Sequence, residues 1–213
     1  MMQIYYAYAN VLLNGNIDNF TGQLSLKTKS KLFLLKRDED RHLLLTSLIL
    51  LSKALYENGY DAFMLNTMEY DKTGRPFFPN SPFDFNISHT DNCAALAFSK
   101  ERRVGIDVEK IKDIDFSDFT NFFTGEQWDD INSAKDKFGR FYYYWTLIES
   151  GVKADGRGLS LISNKSIKLL NGDLFIDNVK WFYNHYNFDQ SIACCVTTDK
   201  RNESYEIKNI VSI

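Results

Sequence analysis

The sequence predicts an α+β protein built from two similar α/β halves, related by a pseudo-twofold, with a functional site between them. Three observations predict this. Residues 38–57 form a long helix-like run, flanked by strand-like stretches at 2–13 and 83–98. The order strand, helix, strands recurs loosely after residue 100: a strand over 104–109, helices to about 155, then strands. The polar stretches with chemical potential fall on both sides of residue 100, which places a site between the halves. No identity recurs at a fixed period, so the likeness is one of element order. The chain divides on this reading at 1–100 and 101–213.

In chain order, residues 2–13 suit a strand and the Asn/Gly-rich residues 14–22 a turn. Lys27, Lys29, Lys31, Lys36 and Arg37 form a basic run, ordinarily a solvated face. Asp38, Glu39 and Asp40 favour the positive end of the helix that follows, and Leu43 to Leu55 supply its buried face. Residues 60–80 predict a strand, a turn and a loop carrying Arg75. Residues 83–98 predict two strand segments around a polar turn at Ser88 and His89. Residues 111–123 place Phe116, Phe119, Phe122 and Phe123 among acids, as a helix with a buried aromatic stripe would. Thr124 and Gln127 match a capping box that opens a helix running to about Ala134. Residues 159–213 read as strands, with a hairpin turn at Asn171-Gly172-Asp173.

Composition narrows the class. With 213 residues, 44 % hydrophobic and 25 % charged, the chain can bury a full core, as one large domain or two of about 100 residues. Three prolines argue against long disordered linkers. A net charge of −3 gives no reason to expect nucleic-acid binding, so any anion site must be local. The longest apolar stretch, Leu43 to Leu51, is broken by Thr46 and Ser47 and falls well short of the about 20 residues a membrane span needs. The opening residues carry no basic segment of a secretory signal. Cys93, Cys194 and Cys195 read as small core residues of a reducing compartment, so a cytoplasmic location is expected.

The chemistry centres on VGIDVEK, residues 104–110. On a strand, Asp107 and Glu109 share one side while Ile106 and Val108 face a core. Two adjacent acids repel unless a cation sits between them, and an oxygen-ligated ion such as Mg2+ is the natural candidate. A half-exposed strand with two acids on its wet face is the plainer alternative. The stretch 141–160, FYYYWTLIESGVKADGRGLS, predicts a mostly buried helix ending near Gly156. Glu149 and Lys153 share one of its faces, either as a surface pair or as a third carboxylate and an anion-binding lysine. Ser88 and His89 suit an anion-contacting turn, and Arg75 offers a fork that can bond two phosphate oxygens.

Taken in order, TGRPF, FNISHT, GIDVEK, FFTGEQW and WTLIESGVKADGRGLS resemble the motifs of the Sfp-type 4′-phosphopantetheinyl transferases. The resemblance runs from about residue 27 to about residue 160. It implies the fold of that family and transfer of phosphopantetheine from CoA to a serine of an apo acyl or peptidyl carrier protein, releasing 3′,5′-ADP. By the resemblance, Asp107, Glu109 and Glu149 are the Mg2+ (or Mn2+) site, and Glu149 also helps deprotonate the carrier serine. Lys153 holds the diphosphate; Ser88, His89 and Arg75 contact the CoA phosphates and nucleotide end. Lys31, ahead of Lys29 and Lys27, is the candidate for the 3′-phosphate. Residues 1–100 become the nucleotide side, 101–213 the metal and carrier side, and residues 111–123 a surface that receives the carrier. Two halves in one chain let a monomer build the whole site.

The chain departs from the family pattern in places. Ile148 stands where lysine precedes the metal glutamate, removing a charge expected near the diphosphate. Leu43 takes the place of an arginine in the helix over 38–57, Thr90 that of a second serine, and Gly151 lies inside a helix. Two other readings therefore remain: a CoA-binding scaffold of the same fold with weak or no turnover, and a different Mg2+-dependent phosphodiester enzyme.

Overall fold

The computed structural model describes residues 1–13, 17–158, 166–201 and 204–212, without the side chains of 17–19. Two mixed α+β layers stack face to face. The first sheet contains β1 (Met2–Tyr8), β4 (Asp84–Thr90), β5 (Cys93–Ser99) and β11 (Tyr205–Asn209), in the order β11-β1-β5-β4. The second contains β6 (Val104–Lys110), β7 (Ile167–Leu170), β8 (Asp173–Ile176), β9 (Val179–Asn187) and β10 (Ile192–Thr198), in the order β6-β10-β9-β8-β7. A short ribbon of β2 (Glu69–Tyr70) and β3 (Pro76–Phe77) stands apart. The helices are α1 (Ala9–Leu12), α2 (Ile17–Gln23), α3 (Leu26–Leu34), α4 (Asp38–Glu57), α5 (Gly125–Ser133) and α6 (Lys137–Asp155).

Alternation along β5 shows why every residue of that strand is buried. Ala94, Leu96 and Phe98 join Leu48, Leu51 and Leu55 of α4 in one core. Cys93, Ala95 and Ala97 face the other way and meet Ile106, Val108, Cys194 and Val196 of the second sheet. On β6 the same period turns Val104, Ile106 and Val108 into the inter-sheet core and leaves Gly105, Asp107 and Glu109 facing α6. The layers thus run α4, first sheet, second sheet, α6. Helix α6 lies so close to β6 that a Cβ on Gly105 would stand 2.1 Å from the Ser150 carbonyl oxygen. It ends at Gly156, in the left-handed region at φ 89°, whose amide closes on Val152 O at 2.9 Å.

The sheets join edge to edge through side chains. Asp84, Asn86, Ser88 and Thr90 project from alternate positions of β4. They accept the amides of Val104, Ile106, Val108 and Lys110 of β6 at 2.8, 2.9, 3.3 and 3.1 Å. A polar side chain from one strand therefore stands where a neighbouring strand's carbonyl would be.

Several elements differ from the sequence reading. Strand β1 stops at Tyr8 and the short helix α1 follows. Of the turn expected over 14–22, residues 14–16 lie outside the described residues, and α2 begins at Ile17. Lys27, Lys29 and Lys31 of the basic run are helical, on α3, which Ser25 caps by accepting the Thr28 amide; Lys36 and Arg37 lie in the connection to α4. The strand expected near 60 is a 3-10 helix over Ala62–Thr67, started by Asp61 accepting the Phe63 amide. Ser88 and His89 belong to β4 itself, and the turn comes after them at Asp91 and Asn92. Only Phe116–Phe119 of the 111–123 stretch is helical, as a single 3-10 turn; its aromatics pack on Phe141 and Trp145 of α6 instead of on one another's helix face. The strand expected at 159–165 lies outside the described residues. The split at residue 100 falls between β5 and β6, but β11 crosses back to pair in parallel with β1, so residues 101–213 do not form a self-contained half. The capping box at Thr124 and Gln127 is present, and the hairpin turn has Asn171 and Gly172 at φ 53° and 79°. Among the described residues, no helix is long and apolar enough to cross a membrane.

Candidate active site at the seam between the sheets

Asp107 is the centre of the site. Strand β6 turns it toward α6, and burial leaves it 3 % exposed. Its Oδ1 accepts from the Lys153 ammonium at 2.6 Å and from Ser88 Oγ at 3.0 Å. Lys153 Nζ also donates to Ser88 Oγ at 2.9 Å, which closes a triangle of lysine, serine and aspartate. Asp107 Oδ2 is buried without a hydrogen-bond partner among the described residues. Burial raises the Asp107 pKa, and Lys153 and Ser88 oppose the rise.

Two more carboxylates feel that charge. Glu109 shares the face of Asp107, and its Oε2 accepts from Thr90 Oγ1 at 3.3 Å. Burial first and Asp107 second push its pKa up to about 7, against the pull of Thr90, Lys153 and Trp145. Glu149 stands one turn before Lys153 on the same face of α6. Its pKa is raised by burial and by Asp107, with Lys153 opposing. Three acids therefore converge on a region with one ammonium close by.

That donor set suits a hard divalent cation. All three groups offer carboxylate oxygens, their mutual repulsion is under-neutralised, and one buried oxygen lacks a partner. Among the described residues, no three His, Cys, Asp or Glu side chains already stand in ligand geometry. Mg2+ ordinarily completes its shell with substrate phosphate and water, so two or three carboxylates are enough from the protein.

The other candidate residues are not all brought here. His89 follows Ser88 on β4 and is itself exposed, on the side of the strand that also carries Phe85 and Ile87. Partial burial, then the Lys153 charge, lowers its pKa, while Asp40 of α4 and Asp107 act the other way. Arg75 is only 7 % exposed. Its guanidinium bonds Asp84, Phe85 O and Val104 O at 2.8–3.0 Å and also donates to Lys153 O, so it does not present a free fork to a phosphate. Lys31 holds its ammonium 3.2 Å over the Tyr70 ring, while Lys29 donates to Gly22 O. Leu43 is buried and, with Arg37, Asp40, His42 and Asp91, lines a cavity of about 510 Å³. Ile148 packs with Phe123, Phe141 and Val152, turned away from the acids. The charge expected to be missing beside the diphosphate is therefore missing from an apolar cluster instead.

Sequence reasoning passed over Thr90 and Trp145 as partners of Glu109, and Asp84 as the partner of Arg75. A signal was present: polar residues at 84, 86, 88 and 90 alternate with apolar or exposed ones, as one polar strand edge requires.

Comparison with known proteins decides the family. The model of the 4′-phosphopantetheinyl transferase superfamily matches residues 103–205, which include Asp107, Glu109, Glu149 and Lys153. The 4′-phosphopantetheinyl transferase Sfp of Bacillus subtilis is 31 % identical over 177 residues, covering 79 % of this chain and 77 % of that protein. The chain belongs to the Sfp-type 4′-phosphopantetheinyl transferases. The transferase ffp of Bacillus subtilis is 29 % identical over the same shares of both chains. The human L-aminoadipate-semialdehyde dehydrogenase-phosphopantetheinyl transferase is 39 % identical over 92 residues, 38 % of this chain and 29 % of that one. As a transferase of this family, the protein departs from the motif at Ile148 without placing a hydrophobic side chain among its acids.

Proposed function

We propose that this transferase moves 4′-phosphopantetheine from CoA to a serine of an apo acyl or peptidyl carrier protein and releases 3′,5′-ADP. The observation that carries the proposal is the triangle of Lys153, Ser88 and Asp107, with Glu109 and Glu149 held at raised pKa beside it. It unites an anion-binding ammonium with oxygens suited to a divalent ion, which is what a diphosphate requires.

In the reaction, the carrier serine oxygen bonds to the phosphorus that bears the pantetheine arm. The bond from that phosphorus to the bridging oxygen breaks, and its electrons leave with 3′,5′-ADP. Glu149, raised in pKa and beside Asp107, takes the serine proton directly or through water. Lys153 supplies positive charge against the diphosphate. Asp107, Glu109 and Glu149 would hold Mg2+, with Mn2+ as the alternative; when bound, the ion neutralises the charge that develops on the leaving group. Ser88 orients Lys153 and Asp107, and Thr90 holds Glu109. His89, near both Lys153 and Asp40, is read as a contact for the CoA phosphates or nucleotide.

The layer of β1, β4, β5 and α4, with Lys31, is read as the nucleotide side; the layer of β6–β10 and α6 as the metal and carrier side. The two are read as related halves meeting at the site. A cytoplasmic monomer is the working form.

The test is incubation with CoA, Mg2+ and an apo carrier protein, followed by intact mass. A gain of one phosphopantetheine is expected with the wild type and none with Asp107→Ala or Glu149→Ala, both folded by circular dichroism. CoA binding without a mass gain on any of several carriers would favour the scaffold reading; turnover by either variant would overturn the assigned roles.

A further inference from the structure

Arg75 lies outside the proposed chemistry, yet it touches every element that carries it. One guanidinium nitrogen shares its two N–H groups among both oxygens of Asp84 at 3.0 and 2.8 Å, the carbonyl of Phe85 at 3.0 Å and that of Val104 at 2.8 Å. The other donates to the main-chain carbonyl of Lys153. Asp84 and Phe85 open β4, Val104 opens β6, and Lys153 lies in the last turn of α6. Those are the three elements that supply Ser88, Asp107 and the ammonium. Asp84 in turn accepts the Val104 amide at 2.8 Å, so the fork and the first rung of the inter-sheet seam share one carboxylate.

We propose that Arg75 is a positioning residue for the transfer, fixing the main chain of Lys153 against the start of the β4–β6 seam. The proposal rests on the role given above to the Asp107 cluster. Lys153 reaches Asp107 at 2.6 Å and Ser88 at 2.9 Å from a backbone that Arg75 holds by its carbonyl. If that carbonyl shifts, the ammonium shifts with it relative to two groups anchored on other strands. Arg103 also bonds this helix end, at Ala154 O, but it is far more exposed and does not reach β4's carbonyls. A lysine at 75 could keep the charge opposite Asp84, but it lacks the planar fork that bonds four groups at once.

The experiment measures steady-state kinetics of Arg75→Lys and Asp84→Asn with saturating carrier and varied CoA. We expect Arg75→Lys to lower kcat by about tenfold or more while KM for CoA stays within about twofold. Asp84→Asn loosens the same fork from its other end and should move kcat in the same direction; it carries the test if Arg75→Lys does not fold. A raised KM for CoA with kcat intact would make Arg75 a substrate contact and overturn the proposal. Wild-type kcat and KM with only a lowered Tm would reduce Arg75 to a tie in the fold and overturn it equally. Asp107→Ala is assayed alongside: if it keeps turnover, the cluster reading fails and this proposal with it. If Asp107→Ala is inactive while both clamp variants keep wild-type kcat, the clamp alone fails.

Discussion

The Ser88 hydroxyl donates to Asp107 Oδ1 at 3.0 Å while accepting from the Val108 amide at 3.3 Å and the Lys153 ammonium at 2.9 Å. One oxygen therefore closes a rung between two sheets and aims both charged groups of the candidate site. Its one donor and two acceptor positions are all used.

Ser88→Ala should show both jobs at once. It leaves the Val108 amide unpaired in the seam, at a cost of about 1–3 kcal/mol, and removes one of the two partners that aim Lys153, lowering kcat by about tenfold or more. Urea unfolding and carrier modification rates measure the two effects. Loss of stability with full kcat would confine Ser88 to the seam.

Ile148→Lys restores the residue type that the family carries before its metal glutamate. Here the position faces Phe123, Phe141 and Val152 and lines an apolar groove of about 440 Å³ with Phe122, Leu169 and Leu174. On α6, one residue turns the side chain by about 100° from Glu149. The variant should therefore lose about 1–3 kcal/mol of stability and leave KM for CoA within about twofold. A several-fold drop in KM would show that the new ammonium reaches the diphosphate after all.

A pH dependence of stability is expected from His185 on β9. Its ring stacks on Tyr143 with centroids 3.8 Å apart, and its Nε2 is buried without a partner among the described residues. Burial, with Arg140 adding to it, pushes its pKa down to about 4, against the Cys194 backbone bond. The folded state thus holds fewer protons at this ring than the unfolded state. The contribution is fully present above pH about 6.5, the ordinary histidine value, and is lost as pH falls toward 4, to a limit of roughly 3 kcal/mol. Urea midpoints for the wild type and His185→Gln between pH 4.5 and 7.5 should converge as pH falls. Parallel curves would show that the ring titrates normally.

Legibility in the sequence tracked the range of the interactions. Helices α4 and α6, strand β6, the Thr124 capping box and the Asn171-Gly172 turn are set by residues within a few positions of one another, and their patterns were readable. Ser88 and His89 read as a turn between two strand segments because the polar residues of 84–90 satisfy β6 instead of water, a partnership some twenty residues away. Arg75 read as a loop arginine offering its fork to phosphate because the partners that occupy that fork lie on three other elements. Asp107, Glu109, Glu149 and Lys153 were singled out as candidates by face and spacing, but only the fold shows that one serine and one threonine of β4 reach them.

Pairing of Met2 with Tyr205 and of Tyr6 with Asn209 has a consequence for how the chain comes off the ribosome. The outer edge of β1 is ready to hydrogen-bond early, yet its proper neighbour β11 is translated only after both long helices and, among the described residues, the nine strands β2–β10. For that interval the nascent chain carries an open edge that can recruit a stray strand, its own or a neighbour's. The final seal on the first sheet is thus among the most non-local steps the molecule must complete, and the slowest part of its maturation is expected there.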